Sequence, residues 1–246
     1  MEVHAHTHTA RKKWTHYFWE FLMLFLAVFA GFLAENQREH IIEHRREKNY
    51  IISLARDLEK DTADLHLLIL LNKGQKKKYD SLLNLLKQAD SFKEINLLYY
   101  YYVPTTSYFH FTATEGTIRQ LENAGGLRLI RNQPAVDIIM AYYGTVKKME
   151  GQANTFFPYF NKYHEIAFTV FDLSQIDTLF FTRQYIQTGN RSLALLTKDK
   201  VIMKVLYNNL YSLWLIVGNY IQFLEEAEQM ATEALDLLKK NYHLNK

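Results

Sequence analysis

The longest apolar stretch of the chain, residues 14–34, limits most strongly what the protein can fold into. Between Phe18 and Ala34 the only charged residue is Glu20, and the stretch opens with the aromatic residues Trp14, Tyr17 and Trp19. Its 21 residues match the roughly 20 that an α-helix needs to cross the hydrocarbon layer of a bilayer. Aromatic side chains are enriched where a helix enters such a layer. The stretch therefore predicts a transmembrane helix, with the lipid bilayer as its first partner.

Two readings of this segment differ in whether it is removed after export. A cleaved signal peptide has a shorter apolar core, followed by a cleavage site in which one residue separates two small residues. The candidate pairs here are poor, because Phe32 precedes Ala34 and Val28 precedes Ala30. We therefore predict a permanent signal anchor.

The charges that flank the segment predict its orientation. Residues 11–13 are Arg-Lys-Lys, a contiguous basic cluster directly before the span. Basic residues beside the first span tend to stay in the cytoplasm. We predict a single-pass protein of the inner membrane, in which residues 1–13 form a short cytoplasmic head and the bulk of the chain is periplasmic.

Glu20 is open to two interpretations. It lies near the start of the span, where it can reach the headgroup region or pair with Lys13 or His16. An acid inside a membrane segment is also a candidate proton or cation site. Because Glu20 is close to the cytoplasmic edge, the structural interpretation is favoured.

Small residues in the span predict self-association. They occur four apart, a spacing that lets two helices approach closely in lipid. The two overlapping pairs are Ala27 with Gly31 and Ala30 with Ala34. We predict a homo-oligomer held together by the anchor.

No proline or glycine separates Ala34 from Asn72, so the span is predicted to continue as a helical stalk over residues 35–72. Glutamates recur every four residues from Glu35 to Glu47, and arginines three residues after Glu35 and Glu43 can offset their repulsion. From Ile51, apolar residues at coiled-coil spacing indicate packing, with Asp61 in a gap of the pattern. The run "LHLLILL" (65–71) is expected to be buried.

The remaining residues, 73–246, predict an all-α extracytoplasmic domain built as an antiparallel helical bundle. Gly74 is expected to form a turn, after which "KKKYDSLLNLLKQADSF" returns as a second helix. A threonine cap, the pair at 125–126, and Asn132 with Pro134 punctuate further helices. Gly189-Asn190 predicts a surface turn before a last helix from about Lys198 to Tyr242. Its segment 210–224 is too short and polar for a second span.

The tyrosine-rich segment 95–116 is ambiguous. Residues 99–103 have β character, but Pro104 and the threonines favour an irregular connection. The tyrosines either form a recognition loop or cap a helical core.

Composition excludes several kinds of chemistry. The chain has no cysteine, and its formal net charge of +3 gives no indication of a nucleic-acid partner. "HAHTHT" places His4, His6 and His8 at alternate positions, which could hold a transition-metal ion in an extended segment, or could simply be a flexible polar tail. No catalytic motif is present, so neither enzymatic activity nor a cofactor is predicted.

Three stretches together carry a family resemblance: "WEFLMLFLAVFAGFLAENQRE", "LARDLEKD" and "TIRQLENAGGLRLIRN…IIMAYY". Their order resembles a widespread family of small bacterial membrane proteins whose function is unknown. In that family a glutamate commonly opens the span and an asparagine closes it, which here implies Glu20 and Asn36. A further shared pattern is matched by Thr117, Leu121, Gly125, Leu129 and Ile130. The family usually has a tryptophan after the closing asparagine, where this chain has Gln37.

The resemblance implies an architecture and an envelope location rather than a mechanism. We predict an oligomeric scaffold or accessory subunit of a membrane complex, which could include other membrane proteins. The alternatives are an oligomeric ion or proton pathway that uses Glu20 and an extracytoplasmic ligand-binding sensor subunit.

Overall fold

The protein is mostly helical over the residues that its structure, a computed structural model, describes: 14–88, 95–176 and 193–244. Within these ranges the only β-type pairing is an isolated bridge between Phe171 and Leu195. The all-α prediction is confirmed. The helices are α1 (Trp14–Lys87), α2 (Ile95–Tyr102), α3 (Gly116–Asn123), α4 (Gln133–Val170) and α5 (Lys200–Tyr242).

The chain divides into two compact units, Met1–Tyr50 and Ile51–Lys246. The described part of the first unit is a single helical segment, the N-terminal half of α1. Almost all of its side chains are exposed, including large apolar ones such as Trp14 at 82% and Met23 at 70%. The described residues therefore leave uncovered an apolar surface of the kind that is normally buried on folding.

Gly74 does not form the predicted turn, because α1 runs through it without interruption for 74 residues. The segment expected to return as a second helix is the continuation of the first. A Cβ built on Gly74 would meet nothing within 4 Å, so this glycine has no close neighbour that requires it. Glycine disfavours a helix interior by only about 1 kcal/mol relative to alanine, and the packing of the residues around it offsets that cost.

In the second unit, α1 and α5 run in opposite directions along a shared contact. Ion pairs join Glu59 to Lys239 at 2.8 Å and Lys73 to Glu225 at 2.6 Å, and between them Nδ1 of His66 lies 3.0 Å from a carboxylate oxygen of Glu228. Further along, the Trp214 indole nitrogen donates a hydrogen bond of 2.6 Å to Asp80. Residue numbers rise on α1 as they fall on α5, so the two helices are antiparallel over this length.

The run "LHLLILL" is only partly buried, contrary to the prediction. Leu65 and Ile69 are in the core, at 0% and 5% exposure, whereas Leu67 and Leu70 are 55% and 57% exposed and Leu71 is 37% exposed. α1 packs against its neighbours through one side, and a helix with 3.6 residues per turn must turn the other residues of such a run outward.

The tyrosine-rich segment begins as a helix rather than an irregular connection. α2 ends at Tyr102 and continues as a 3₁₀ turn, Val103–Thr106. Residues 107–115 then cross to the start of α3 without regular structure.

α4 is one helix of 38 residues, although Pro158 lies inside it. Its start agrees with the sequence, because the Asn132 side chain accepts a hydrogen bond of 3.0 Å from the backbone nitrogen of Ala135 and Pro134 occupies the first turn. The last helix also agrees closely, since α5 ends at Tyr242. The predicted turn at Gly189-Asn190 lies outside the described residues.

Candidate functional site

Two helices of the described chain are long and apolar enough to cross a membrane, α1 and α5. None of the apolar window of α1 is buried within the protein, compared with 28% of the window in α5. By this measure the predicted anchor is the more open of the two. Its length and composition are consistent with a bilayer segment.

The anchor has two different faces. Phe21, Phe25 and Phe29 stack along one side, with ring centroids 6.3 and 6.0 Å apart. Successive residues of an α-helix are rotated by about 100°, which places Gly31 within about 40° of Ala27 and Phe25 about 160° from it. The bulky rings and the small residues therefore lie on nearly opposite sides.

Glu20 shares the small-residue face. It precedes Ala27 by seven residues and Ala34 by fourteen, so all three lie within about 40° of one another on the helix. Ala30 lies at the edge of the same face. At Gly31 an added Cβ would meet nothing within 4 Å, which leaves room for a second helix.

Glu20 contacts one of its two predicted partners. Its Oε1 lies 3.1 Å from Nε2 of His16, and both side chains are about half exposed. Lys13, the other predicted partner, lies outside the described residues. The contact joins two groups one turn apart on the same helix face.

Asn36 is not brought together with the small residues. It is exposed and lies about 180° from Ala27 around the helix axis. The neighbouring Glu35 accepts two hydrogen bonds from Arg38, at 2.9 and 2.5 Å, as the spacing of three predicts. This interaction lowers the pKa of Glu35.

A second candidate site lies in the folded domain, around a fully buried acid. The side chain of Asp61 is 0% exposed. It accepts a hydrogen bond of 2.7 Å from the Tyr142 hydroxyl and bonds of 2.9 and 3.2 Å from the backbone nitrogen of Thr114. One turn earlier, Asp57 accepts a hydrogen bond of 3.4 Å from the backbone nitrogen of Thr117. We call these contacts the Asp61 junction.

The Asp61 junction joins the motifs that carry the family resemblance. Asp57 and Asp61 belong to "LARDLEKD", Thr117 begins "TIRQLENAGGLRLIRN", and Tyr142 and Tyr143 belong to "IIMAYY". These contacts were not predicted from the sequence. The available signal was an aspartate within a stripe of core leucines, because a buried carboxylate requires hydrogen-bond partners.

Tyr142 of the Asp61 junction and the adjacent Tyr143 are both held in the neutral form. Burial raises the pKa of Tyr142, and the hydrogen bond to Asp61 raises it further. Burial also raises the pKa of Tyr143, whose hydroxyl donates a hydrogen bond of 3.1 Å to the Thr114 carbonyl oxygen. Two neutral phenols facing a carboxylate provide hydrogen-bond donors but no nucleophile.

Polar residues further along α1 fix the same connection at a second place. The Asn72 amide donates to the carbonyl oxygen of Phe109 at 3.2 Å, and the Gln75 amide donates to that of Pro104 at 2.6 Å. Asn72 and Gln75 are both buried. Side chains of α1 thereby bind backbone carbonyl groups of the 3₁₀ turn and of the irregular segment 107–115 that follows it.

The two glycines of the stretch "TIRQLENAGGLRLIRN" have different structural roles. Gly125 adopts a φ of 60°, in the left-handed region that ends helices, and follows Ala124, the C-cap residue of α3. At Gly126 an added Cβ would lie 2.9 Å from a methyl carbon of Leu121. In this chain, the stretch around these two glycines forms a helix end packed tightly on the last turn of α3.

The tyrosines of the segment 95–116 divide between core and surface. Tyr99 and Tyr102 are fully buried and pack on Phe171, the latter with parallel rings 4.0 Å apart. Tyr100 and Tyr101 are half-buried beside Lys78, whose ammonium lies 4.5 and 5.6 Å from their ring centres. The core interpretation therefore holds for Tyr99 and Tyr102, whereas the recognition-loop interpretation stays a prediction.

No metal centre is found among the described residues, where no three histidine, cysteine or acidic side chains cluster suitably. His4, His6 and His8 lie outside those residues, so their metal hypothesis stays a prediction. A surface depression of about 520 Å³ on α5 is lined by four acids together with Gln229, Thr232, Leu237 and Lys240.

No protein-family model matches the chain, and no curated protein or solved structure is significantly similar to it.

Proposed function

We propose that the protein is a single-pass envelope protein that self-associates through its anchor and serves as a scaffold or accessory subunit of a membrane complex. Its N-terminus is cytoplasmic and its helical domain, an antiparallel bundle, is periplasmic. In this respect it is like the family of small bacterial membrane proteins that its motifs resemble. The proposal involves no catalytic step, no cofactor and no nucleic acid.

The observation that carries the proposal is the two-faced anchor. Helices in lipid associate through small residues that permit close backbone contact, because apolar side chains gain little by leaving lipid for protein. Ala27, Gly31 and Ala34 provide such a face, and the Phe21–Phe25–Phe29 stack covers the opposite side. The phenylalanine side suits contact with lipid chains, whereas the small-residue side suits a second copy of the helix.

Glu20 fits this arrangement as an interface residue. Because it shares the face of the small residues, association of two copies brings their Glu20 and His16 side chains close together. The contact of 3.1 Å between His16 and Glu20 provides a partner for the acid within each chain. Placement near the end of the span keeps the cost of the carboxylate below the roughly 2.5 to 3.5 kcal/mol assigned to an acid at the middle of a bilayer.

The test compares two substitutions to leucine at similar depth on opposite faces. Gly31→Leu fills the space where a second helix approaches, so the oligomer population in detergent should fall. Phe29→Leu, about 160° from Ala27, is the control and should leave that population unchanged. An unchanged mass distribution for Gly31→Leu would count against the proposal.

The pathway alternative shares the Glu20 position and needs a separate measurement. In the scaffold proposal, Glu20→Gln alters assembly or stability but not the ion permeability of liposomes containing the purified protein. Proton or sodium flux that the substitution abolishes would replace the scaffold with an ion pathway. Flux that is absent from both proteins supports the scaffold.

A further inference from the structure

His164 on α4 is buried in an environment that disfavours its charged form. The residue is 8% exposed, and its Nε2 atom has no hydrogen-bond partner. Aromatic rings surround the imidazole, with centroid distances of 4.3 Å to Phe160, 5.0 Å to Tyr163, 5.8 Å to Phe168 and 6.3 Å to Tyr102. A proton on Nε2 would place an unpaired N–H group of a cation among these rings.

The titratable groups around His164 provide no opposing charge. Tyr163 from α4 and Tyr102 from α2 are the titratable residues among the rings, and burial raises the pKa of both, that of Tyr102 to about 12. Both phenols are therefore neutral at acidic and neutral pH. Along α4 the nearest charged residues, Lys162 and Glu165, are exposed. Burial accordingly lowers the pKa of His164, and a hydrogen bond with the Thr105 backbone partly opposes this effect.

His164 lies where three segments of the fold meet. The hydroxyl of its neighbour Tyr163 lies 3.0 Å from the Thr105 hydroxyl, which in turn donates a hydrogen bond of 2.5 Å to the Tyr102 carbonyl oxygen. Thr105 belongs to the 3₁₀ turn that follows α2, and it is fully buried. Tyr163 and His164 thus attach α4 to the end of α2 and to this turn.

We propose that His164 is an acid-sensitive latch: when its imidazole takes a proton, the contact between α4 and the segment 95–106 loosens. Residues 95–106 are then released from the core in acid and held against it at neutral pH. This inference concerns the folded domain alone and does not rest on the proposed scaffold function.

The direction of the pH dependence follows from proton binding. A histidine whose pKa is lowered by folding binds protons more weakly in the folded state than in the unfolded state. Its environment therefore costs no stability above the ordinary histidine pKa of about 6.5, and stability is lost as the pH falls below that value. Local opening of the latch follows the same sign, because opening returns the imidazole to water.

Hydrogen exchange of the full chain in detergent tests the latch. After correction for the intrinsic pH dependence of exchange, amides in 95–106 and 156–170 should lose protection several-fold between about pH 7.5 and about pH 5. His164→Phe keeps an aromatic ring that cannot take a proton, so it should abolish this loss. His110→Phe is the matched control, since His110 is exposed and stacks on Tyr108, and it should behave like the unmodified protein.

Two outcomes would overturn the latch: no pH-dependent loss in the unmodified protein, or an equal loss in His164→Phe. If His164→Phe does not fold, an NMR titration of the histidine rings in the unmodified protein decides the matter. The latch requires the midpoint of His164 to lie below the ordinary histidine value of about 6.5. A midpoint equal to that value, or above it, contradicts the proposal.

Discussion

Asp61 illustrates how a single residue can determine the position of distant segments. A carboxylate removed from water is costly unless hydrogen bonds replace its hydration. Here its partners come from Thr114, 53 residues away, and Tyr142, 81 residues away. The acid is therefore tolerated only when the connection before α3 and the first part of α4 are both in place. We interpret the Asp61 junction as a device that makes the fold specific.

The Asp61 junction predicts that removing the acid lowers the unfolding free energy more than removing one of its hydrogen-bond donors. Tyr142→Phe removes one donor and should lower the unfolding free energy by about 1 to 2 kcal/mol. Asp61→Ala leaves the Tyr142 hydroxyl and the Thr114 amide unpaired, so it should cost more, about 3 kcal/mol. Denaturant unfolding in detergent measures both.

The double variant tests whether the two residues act together. Because Tyr142→Phe removes one of the groups that Asp61→Ala orphans, the combined loss should be smaller than the sum of the single losses. Strictly additive losses would show that the hydrogen bond of 2.7 Å between Tyr142 and Asp61 contributes nothing to stability.

At the scale of elements, the course of α1 is the main organising feature of the second unit. One side of the helix provides core leucines, and among them polar residues pin the connection between α2 and α3. The side that faces α5 carries the charged pairs and the Trp214 contact. Lys76 adds to that contact, with its ammonium 3.6 Å from the centre of the Trp214 ring. A single uninterrupted helix can present all these groups because its geometry fixes their relative positions.

Replacing Gly74 or Gly125 with alanine should change the unfolding free energy in opposite directions. Gly74 lies in an exposed helix interior with nothing within 4 Å of an added Cβ, so Gly74→Ala should raise the unfolding free energy by about 0.5 to 1 kcal/mol. Gly125 has a φ of 60°, which disfavours any side chain, so Gly125→Ala should lower it by about 1 kcal/mol. Thermal unfolding distinguishes the two. Destabilisation by Gly74→Ala would mean that the chain turns at this glycine.

At the scale of the whole molecule, the anchor and the domain differ in what completes them. The domain buries its own core, whereas the described anchor residues leave large apolar side chains exposed. A bilayer, or further copies within one, would cover such a surface, which is why we propose an envelope location.

Orientation is the whole-molecule property that is most directly testable. If the basic cluster at residues 11–13 stays in the cytoplasm, as we propose, the residues after the span are exported. A reporter fused after Lys246 should therefore be active if it functions only in the periplasm. The matched fusion with a reporter that functions only in the cytoplasm should be inactive. The reverse pattern of activities would overturn the orientation.

The sequence alone determined the helical class, because long segments without proline or glycine leave helix as the favoured backbone, and local caps such as Asn132 mark where helices start. It also determined the apolar anchor, since the length and hydropathy of residues 14–34 are properties of the chain itself. The grouping of Glu20 with Ala27, Gly31 and Ala34 follows from helix periodicity in the same way. These features depend on residues that are close in sequence.

Only the tertiary structure decided which side of α1 is covered, and hence that Gly74 remains helical and that Leu67 and Leu70 face outward. Local propensities at these positions differ by about 1 kcal/mol, which is small enough for packing to override. The Asp61 junction and the burial of His164 were also decided by the tertiary structure. Their partners lie up to 81 residues away in the chain, and no local pattern specifies which distant donor or ring will reach a given side chain.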